Sequence, residues 1–231
     1  MKILLLLLLG IIGHTASISQ NLTSATIKAG GTVRDVLTPA DIFYYPQFIK
    51  GKVVFQDGTK SEARLNYSCL VDEMHFIDAK GDTLALANEK IVKFILIGQD
   101  TFYYNEGYVR QVASNNIVKL ADKRVWKVGS AERIGAYDNA NPSGAITTLT
   151  SYNDGEGRRY NLVVNEDIDL RIVNQLYFGD AYNHFVLASK KNLMMLFPKR
   201  QRTIENYLKE KKVDFTSKED LEKIINFLGD L

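Results

Sequence analysis

The sequence predicts an α+β protein that is mainly β: an antiparallel meander or sandwich-like domain followed by a short C-terminal helical segment. Two observations predict it. From Gly51 to Asn105, short runs alternating apolar with polar residues are separated by turn residues at nearly even intervals. Side chains point to opposite faces of a strand in turn, so such runs are strands with one buried face, and even spacing makes a meander. From Ser189 onward the apolar spacing changes to i, i+3, i+4, which is the stripe of a helix lying on a core.

The N-terminus is read first. Lys2 is followed by the apolar run Ile3 to Leu9, Gly10-Ile11-Ile12-Gly13, and then the small polar residues Thr15 to Ser19. A basic start, an apolar stretch and small residues before Gln20 make a signal peptide over residues 1–19. The stretch is too short to cross a bilayer core of about 30 Å. No cysteine follows it to carry a lipid. The expected location is therefore export, to a periplasmic, envelope-associated or extracellular place, with no transmembrane span in the mature chain.

Residues 20–40 are polar and rich in Gly and Thr, a leader that is either flexible or an edge strand. The β domain is expected over 41–188. It opens on the aromatic run Phe43-Tyr44-Tyr45-Pro46-Gln47-Phe48, where Pro46 restricts any strand to an edge or entry position. Val53 and Phe55 share a face before the Asp57-Gly58 turn, and Leu65 and Tyr67 share one on the way back. Met74-Phe76, Leu84-Leu86, Val92-Phe94-Leu96 and Phe102-Tyr104 continue the pattern, with Lys80-Gly81-Asp82 and Gly98-Gln99-Asp100 as turns. Tyr108 to Val112 and Ile117 to Leu120 are further short strands, and Arg124 to Val128 carries Trp126. Ile134 to Gly144 is the clearest loop, with Asp138 to Gly144 nearly all turn chemistry. Strands resume at Ile146 to Tyr152, Tyr160 to Val164 and Ile168 to Ile172, and a hairpin around Gly179-Asp180 closes the domain.

The C-terminal helices, over 189–231, are expected to pack on the β domain. Ser189 caps the first, Pro198 suits the first turn of the next, and Thr216 to Glu219 forms a capping box. Leu221, Ile224, Ile225 and Leu228 give the last helix a full apolar stripe.

The segments Gly51 to Gly58, Leu65-Asn66-Tyr67, Lys80 to Leu84 and the Leu196-Phe197-Pro198-Lys199 to Asp220-Leu221 tail resemble a group of uncharacterised exported bacterial proteins. The motifs are turn and core residues and that group has no assigned activity, so the resemblance implies no chemistry.

Charge and catalytic vocabulary narrow the function. A net charge of +2 is too small to draw nucleic acid to the whole protein. Cys69 is the one cysteine, which leaves no intrachain disulfide. His75 and His184 follow the leader without metal-ligand spacing, and no cofactor is expected. A Cys69/His75 dyad with Asp72 needs residues so near in sequence to fold back on one another; a buried thiol beside an imidazole is the simpler reading. Asn139 to Thr150 echoes a calcium loop but lacks its carboxylates. Asp154, Glu156, Glu166, Asp167 and Asp169 are the densest acidic region. They suit either a solvated strand face or the acids of an envelope hydrolase.

Two surfaces point to binding. The aromatic runs place Tyr44, Tyr45, Tyr103 and Tyr108 where exposed rings would stack on sugar or peptide, with Tyr103 expected free and Phe102 and Tyr104 facing the core. Between Lys190 and Lys212, eight cations, among them Lys199, Arg200 and Arg202, face only Glu205 and Glu210. Such a cluster suits an anionic envelope component, a glycan or a protein. The expected function is an exported, non-catalytic binding or structural protein of the cell envelope.

Overall fold

The computed structural model describes residues 22–129, 151–153, 159–161 and 163–230. The expected signal segment, the 134–144 turn region, the calcium-loop echo and the acidic residues Asp154 and Glu156 lie outside the described residues.

Three short elements precede the meander: strand β1 (Ser24–Ile27), a 3-10 turn (Val33–Asp35) and one helical turn, α1 (Pro39–Ile42). Proline opens α1, where its missing N–H leaves no bond unmade, and Asp41 accepts hydrogen bonds from the Thr38 backbone at 2.9 Å and its hydroxyl at 2.6 Å. The meander follows as β2 (Ile49–Phe55), β3 (Lys60–Ser68), β4 (Glu73–Ile77), β5 (Thr83–Ala85), β6 (Val92–Ile97), β7 (Asp100–Tyr104), β8 (Tyr108–Ser114) and β9 (Lys119–Val128). A separate hairpin, β10 (Ser151–Asn153) with β11 (Arg159–Asn161), is followed by β12 (Ile168–Gly179) and β13 (Phe185–Leu187). The chain then turns helical in α2 (Lys190–Leu196), α3 (Gln201–Lys211) and α4 (Lys218–Gly229).

Eleven strands form one open antiparallel sheet in the order β1-β12-β9-β8-β7-β6-β2-β3-β4-β5, with β13 also on β12. Ser24–Ile27 thus supplies an edge, pairing with Arg171 back to Ile168. The sheet is curled so far that its two ends share a core. Ile27, Ile168 and Leu170 from one end and Leu65, Tyr67 and Met74 from the other lie in a single buried cluster. Two backbone-level ties hold the curl: the Trp126 amide donates to the Cys69 carbonyl at 2.8 Å, and its indole N–H donates to the Asp41 carbonyl at 2.9 Å.

Neighbouring residues on β9 and β12 separate two further clusters, as the alternation of a strand requires. Leu120 and Phe178 point into a cluster with Leu193, Ile204, Leu208 and the stripe of α4, so the helices cover that side. Ala121 and Tyr177 point the other way, to a small cluster with Tyr103, Val109 and Phe185. Among the described residues no helix is long and apolar enough to cross a membrane.

Candidate functional site

The small cluster under Tyr103 floors a cleft. It has a volume of about 420 Å³ and lies between the start of β6, the end of β7 and the turn joining β12 to β13. That is within the range of small-ligand sites. Its walls include Lys90, Lys93, Tyr103, Tyr104, Tyr182 and His184, with the amides of Gln56 and Asn183 beside them. No carboxylate lines it.

Each wall has a local cause. Lys93 falls at a bulge in the pairing of β6 with β2, where Val54 opposes Phe94 and Phe55 opposes Val92, and it is exposed although Ile95 and Ile97 further along are buried. Lys90 sits in the one-turn helix leading into β6 and is exposed. Neither lysine has an acidic partner among the described residues. The opposite wall is a turn organised by one carboxylate. Asp180 Oδ1 accepts from the Tyr182 and His184 backbone amides at 2.8 and 2.9 Å, and Oδ2 meets His184 Nδ1 at 3.1 Å. Asn183 takes the left-handed conformation (φ 68°) that closes the turn. Partial burial draws the Asp180 carboxyl upward, but the His184 and Tyr182 hydrogen bonds outweigh it and hold the group below the usual carboxylate range. The turn presents a Tyr182 ring that is 81% exposed.

At the floor, Tyr103 packs on Phe185 with ring centroids 5.2 Å apart, and its hydroxyl donates to Gln111 Oε1 at 3.2 Å. Lys119 lies 6.0 Å above the Tyr103 ring and donates to the Asp180 carbonyl at 3.2 Å, adding a third positive charge behind the wall. Burial pushes the Tyr103 and Tyr104 phenols upward, so both keep their protons at neutral pH. Chemically the cleft offers cations, hydroxyl and amide hydrogen-bond donors and one free ring.

The other residues singled out from the sequence are placed elsewhere. Tyr108 is a core residue, 1% exposed, with its ring against Tyr67 and Tyr104. Tyr44 and Tyr45 are half-buried around Arg110. The guanidinium stands 5.1 Å over the Tyr44 ring, clamps Asp122 with two hydrogen bonds at 3.0 and 2.6 Å, and reaches Asp100 at 3.1 Å. Tyr45 completes that cluster by donating its hydroxyl to Asp100 at 2.6 Å. Its charges are mutually satisfied. Lys199 and Arg202 are exposed on the helical segment, whereas Arg200 is half-buried and donates to the Leu228 carbonyl at 3.3 Å. Of the seven residues expected to bind, only Tyr103 lies in the cleft. The sequence does not single out Lys90, Lys93 and Tyr182, since isolated surface lysines and a turn tyrosine carry no periodic signal, and it names His184 only as a histidine without metal-ligand spacing.

The acidic and thiol readings find little support in geometry. Asp167 accepts from Lys28 Nζ at 2.8 Å and the Ala29 amide at 3.0 Å, and Asp169 accepts from the Thr26 hydroxyl at 2.7 Å. Both hold the edge strand β1. Cys69 is buried, burial pushes its thiol up to about 12, and His75 engages Glu73 at 3.2 Å. Among the described residues no His, Cys, Asp and Glu side chains gather in a group able to hold a metal ion.

No family model matches the sequence, and no curated protein or solved structure is detectably similar to it.

Proposed function

We propose that the protein is an exported, non-catalytic binding protein of the cell envelope, and that its cleft seats an anionic, hydroxyl-rich ligand of the acidic-glycan class. The observation that carries this reading is the cleft's lining: two ammonium groups without an acidic partner among the described residues and an exposed ring converge there, and the Asp180 carboxylate behind the facing turn is already engaged by His184 and two backbone amides. A sugar acid matches that set. Its carboxylate meets Lys90 and Lys93, its hydroxyls meet the Gln56 and Asn183 amides, and its apolar face lies on Tyr182. Export is supported by the charge, apolar and small-residue order at the N-terminus.

The test is calorimetric titration with acidic and neutral oligosaccharides of equal length. Acidic chains bind, and Lys90→Glu with Lys93→Glu weakens them by at least about tenfold, because two attractions become repulsions. Tyr182→Ala weakens them without altering salt dependence. Equal binding of neutral chains, or an unaffected double variant, refutes the reading.

A further inference from the structure

The helical segment carries a second surface, independent of the cleft. The apolar sides of α2, α3 and α4 are sunk in one cluster through Leu193, Ile204, Leu208 and the α4 stripe, which fixes their outward faces. Lys191 on α2, Lys199 in the turn after it, Arg202 and Lys209 on α3 and Lys212 just past its end are all exposed. None has an acidic partner among the described residues. The two carboxylates in this stretch are already neutralised, Glu205 by Lys190 at 3.1 Å and Glu210 by Lys211 at 2.7 Å. A methionine of α2, Met195, is 64% exposed. It is one helical turn after Lys191 on the same side of α2, and the short helical turn Pro198–Arg200 puts Lys199 just beyond it.

We propose that this face docks the protein on an anionic lipid bilayer. The cations match a phospholipid surface in sign, and each contributes a separate attraction within a Debye length of it. The methionine decides between lipid and a soluble polyanion. A polysaccharide or an acidic protein surface gains little from an unbranched apolar side chain held out in water. A bilayer interface takes it up among the acyl chains while the lysines stay with the headgroups. The face is set before contact: Gln201 Nε2 donates to the Met194 carbonyl at 3.2 Å and Arg200 to the Leu228 carbonyl at 3.3 Å, which hold the α2–α3 connection in place. Binding therefore costs little ordering.

The test is co-sedimentation of the purified protein with vesicles of phosphatidylcholine, with and without phosphatidylglycerol, at low and high salt. Binding is expected to the anionic vesicles only, and to weaken at high salt. Lys199→Glu with Arg202→Glu lowers it by at least about tenfold. Met195→Asp lowers it, while Met195→Leu retains it. These positions are exposed, so thermal unfolding of each variant stays at the parent value. The cleft variant Lys90→Glu with Lys93→Glu still binds vesicles, which separates this surface from the glycan reading. Absence of binding to anionic vesicles, binding unchanged by the charge reversal, or a Met195→Asp variant as active as the parent overturns the proposal. Retention by acidic polysaccharide with none by vesicles reassigns the face to a soluble polyanion. Equal binding to pure phosphatidylcholine also overturns the proposal, since the cations would then contribute nothing.

Discussion

Asp72 ties together parts of the chain that are far apart in sequence. Its backbone takes the left-handed conformation (φ 56°), which turns the carboxylate inward beside Cys69 and Leu70. There Oδ1 accepts from the Tyr67 hydroxyl at 2.7 Å and the Tyr108 amide at 2.9 Å, and Oδ2 accepts from Lys123 at 2.9 Å. Lys123, with a side chain only 6% exposed, spends its other protons on the carbonyls of Asn105 and Glu106 at 3.3 and 2.9 Å. Gly107 must be glycine: its φ is +97°, and an added Cβ would fall 1.9 Å from the Asp72 carboxylate. A buried charge left alone is costly, so Lys123→Met should destabilise the protein by about 3–5 kcal/mol in urea unfolding. Adding Asp72→Asn should recover part of that loss, because the pair is coupled. Additive losses would mean that the pair does not act as a unit. The nearby Cys69 thiol, raised to about 12 by burial, should resist iodoacetamide at pH 8 in the native protein and react once unfolded. Mass spectrometry reads the difference.

At the scale of elements, α4 shows the closest match of pattern to packing. Leu221, Ile224, Ile225 and Leu228 are 0–1% exposed, and the Ser217 hydroxyl caps the helix by accepting from the Asp220 amide at 3.2 Å. Truncating one such side chain leaves a cavity, so Leu221→Ala should cost about 2–5 kcal/mol. Ile225→Asp should lower the thermal midpoint further, since it buries an unpaired charge. An unchanged midpoint would mean that the helix is not needed by the sheet. The meander was legible because its apolar runs are divided by turns that Gly58, Gly81 and Gly98 mark with positive φ, but the faces were not: on β6 Ile95 and Ile97 are buried rather than Phe94 and Leu96, and Leu84 is exposed. The long strand β9 was only half legible. The sequence splits it into Ile117 to Leu120 and Arg124 to Val128, yet the strand runs through Asp122, clamped by Arg110, and Lys123, held by Asp72. Charges sit mid-strand there because their partners lie on β8 and after β3, and no local pattern announces a partner 51 residues away. The aromatic runs misled for a related reason: alternation turned Tyr103 away from Phe102, but Phe185 arrives from β13 to cover it. The cleft was invisible in sequence because its walls meet only when the β12–β13 turn reaches β6.

At the scale of the whole molecule, the curl of the sheet collects Tyr67 and Tyr108, with Tyr44 and Tyr45 at their margin, into one core, while Tyr177 packs on the small cluster under Tyr103. Burial pushes the phenols of Tyr44 and Tyr177 up to about 12, and those of Tyr67 and Tyr108 upward as well. Tyr45 moves the same way through burial and its hydrogen bond to Asp100. An unfolded tyrosine ionises near 10. A folded value above the unfolded one means that the native state holds its proton more tightly. The stabilisation is therefore whole below about pH 10 and is lost as pH rises from there through about 12. Two measurements follow from the sign. In the native protein, phenolate absorbance should rise near pH 10 for only part of the 12 tyrosines. The rest should ionise in one steep step, coincident with loss of the β circular dichroism signal, because the interior phenols cannot charge while the curl is closed. Tyr67→Phe should leave the step in place, since Tyr44, Tyr108 and Tyr177 still drive it. A smooth titration of all tyrosines near 10 with the sheet intact would show that the two ends of the sheet do not share a dry core.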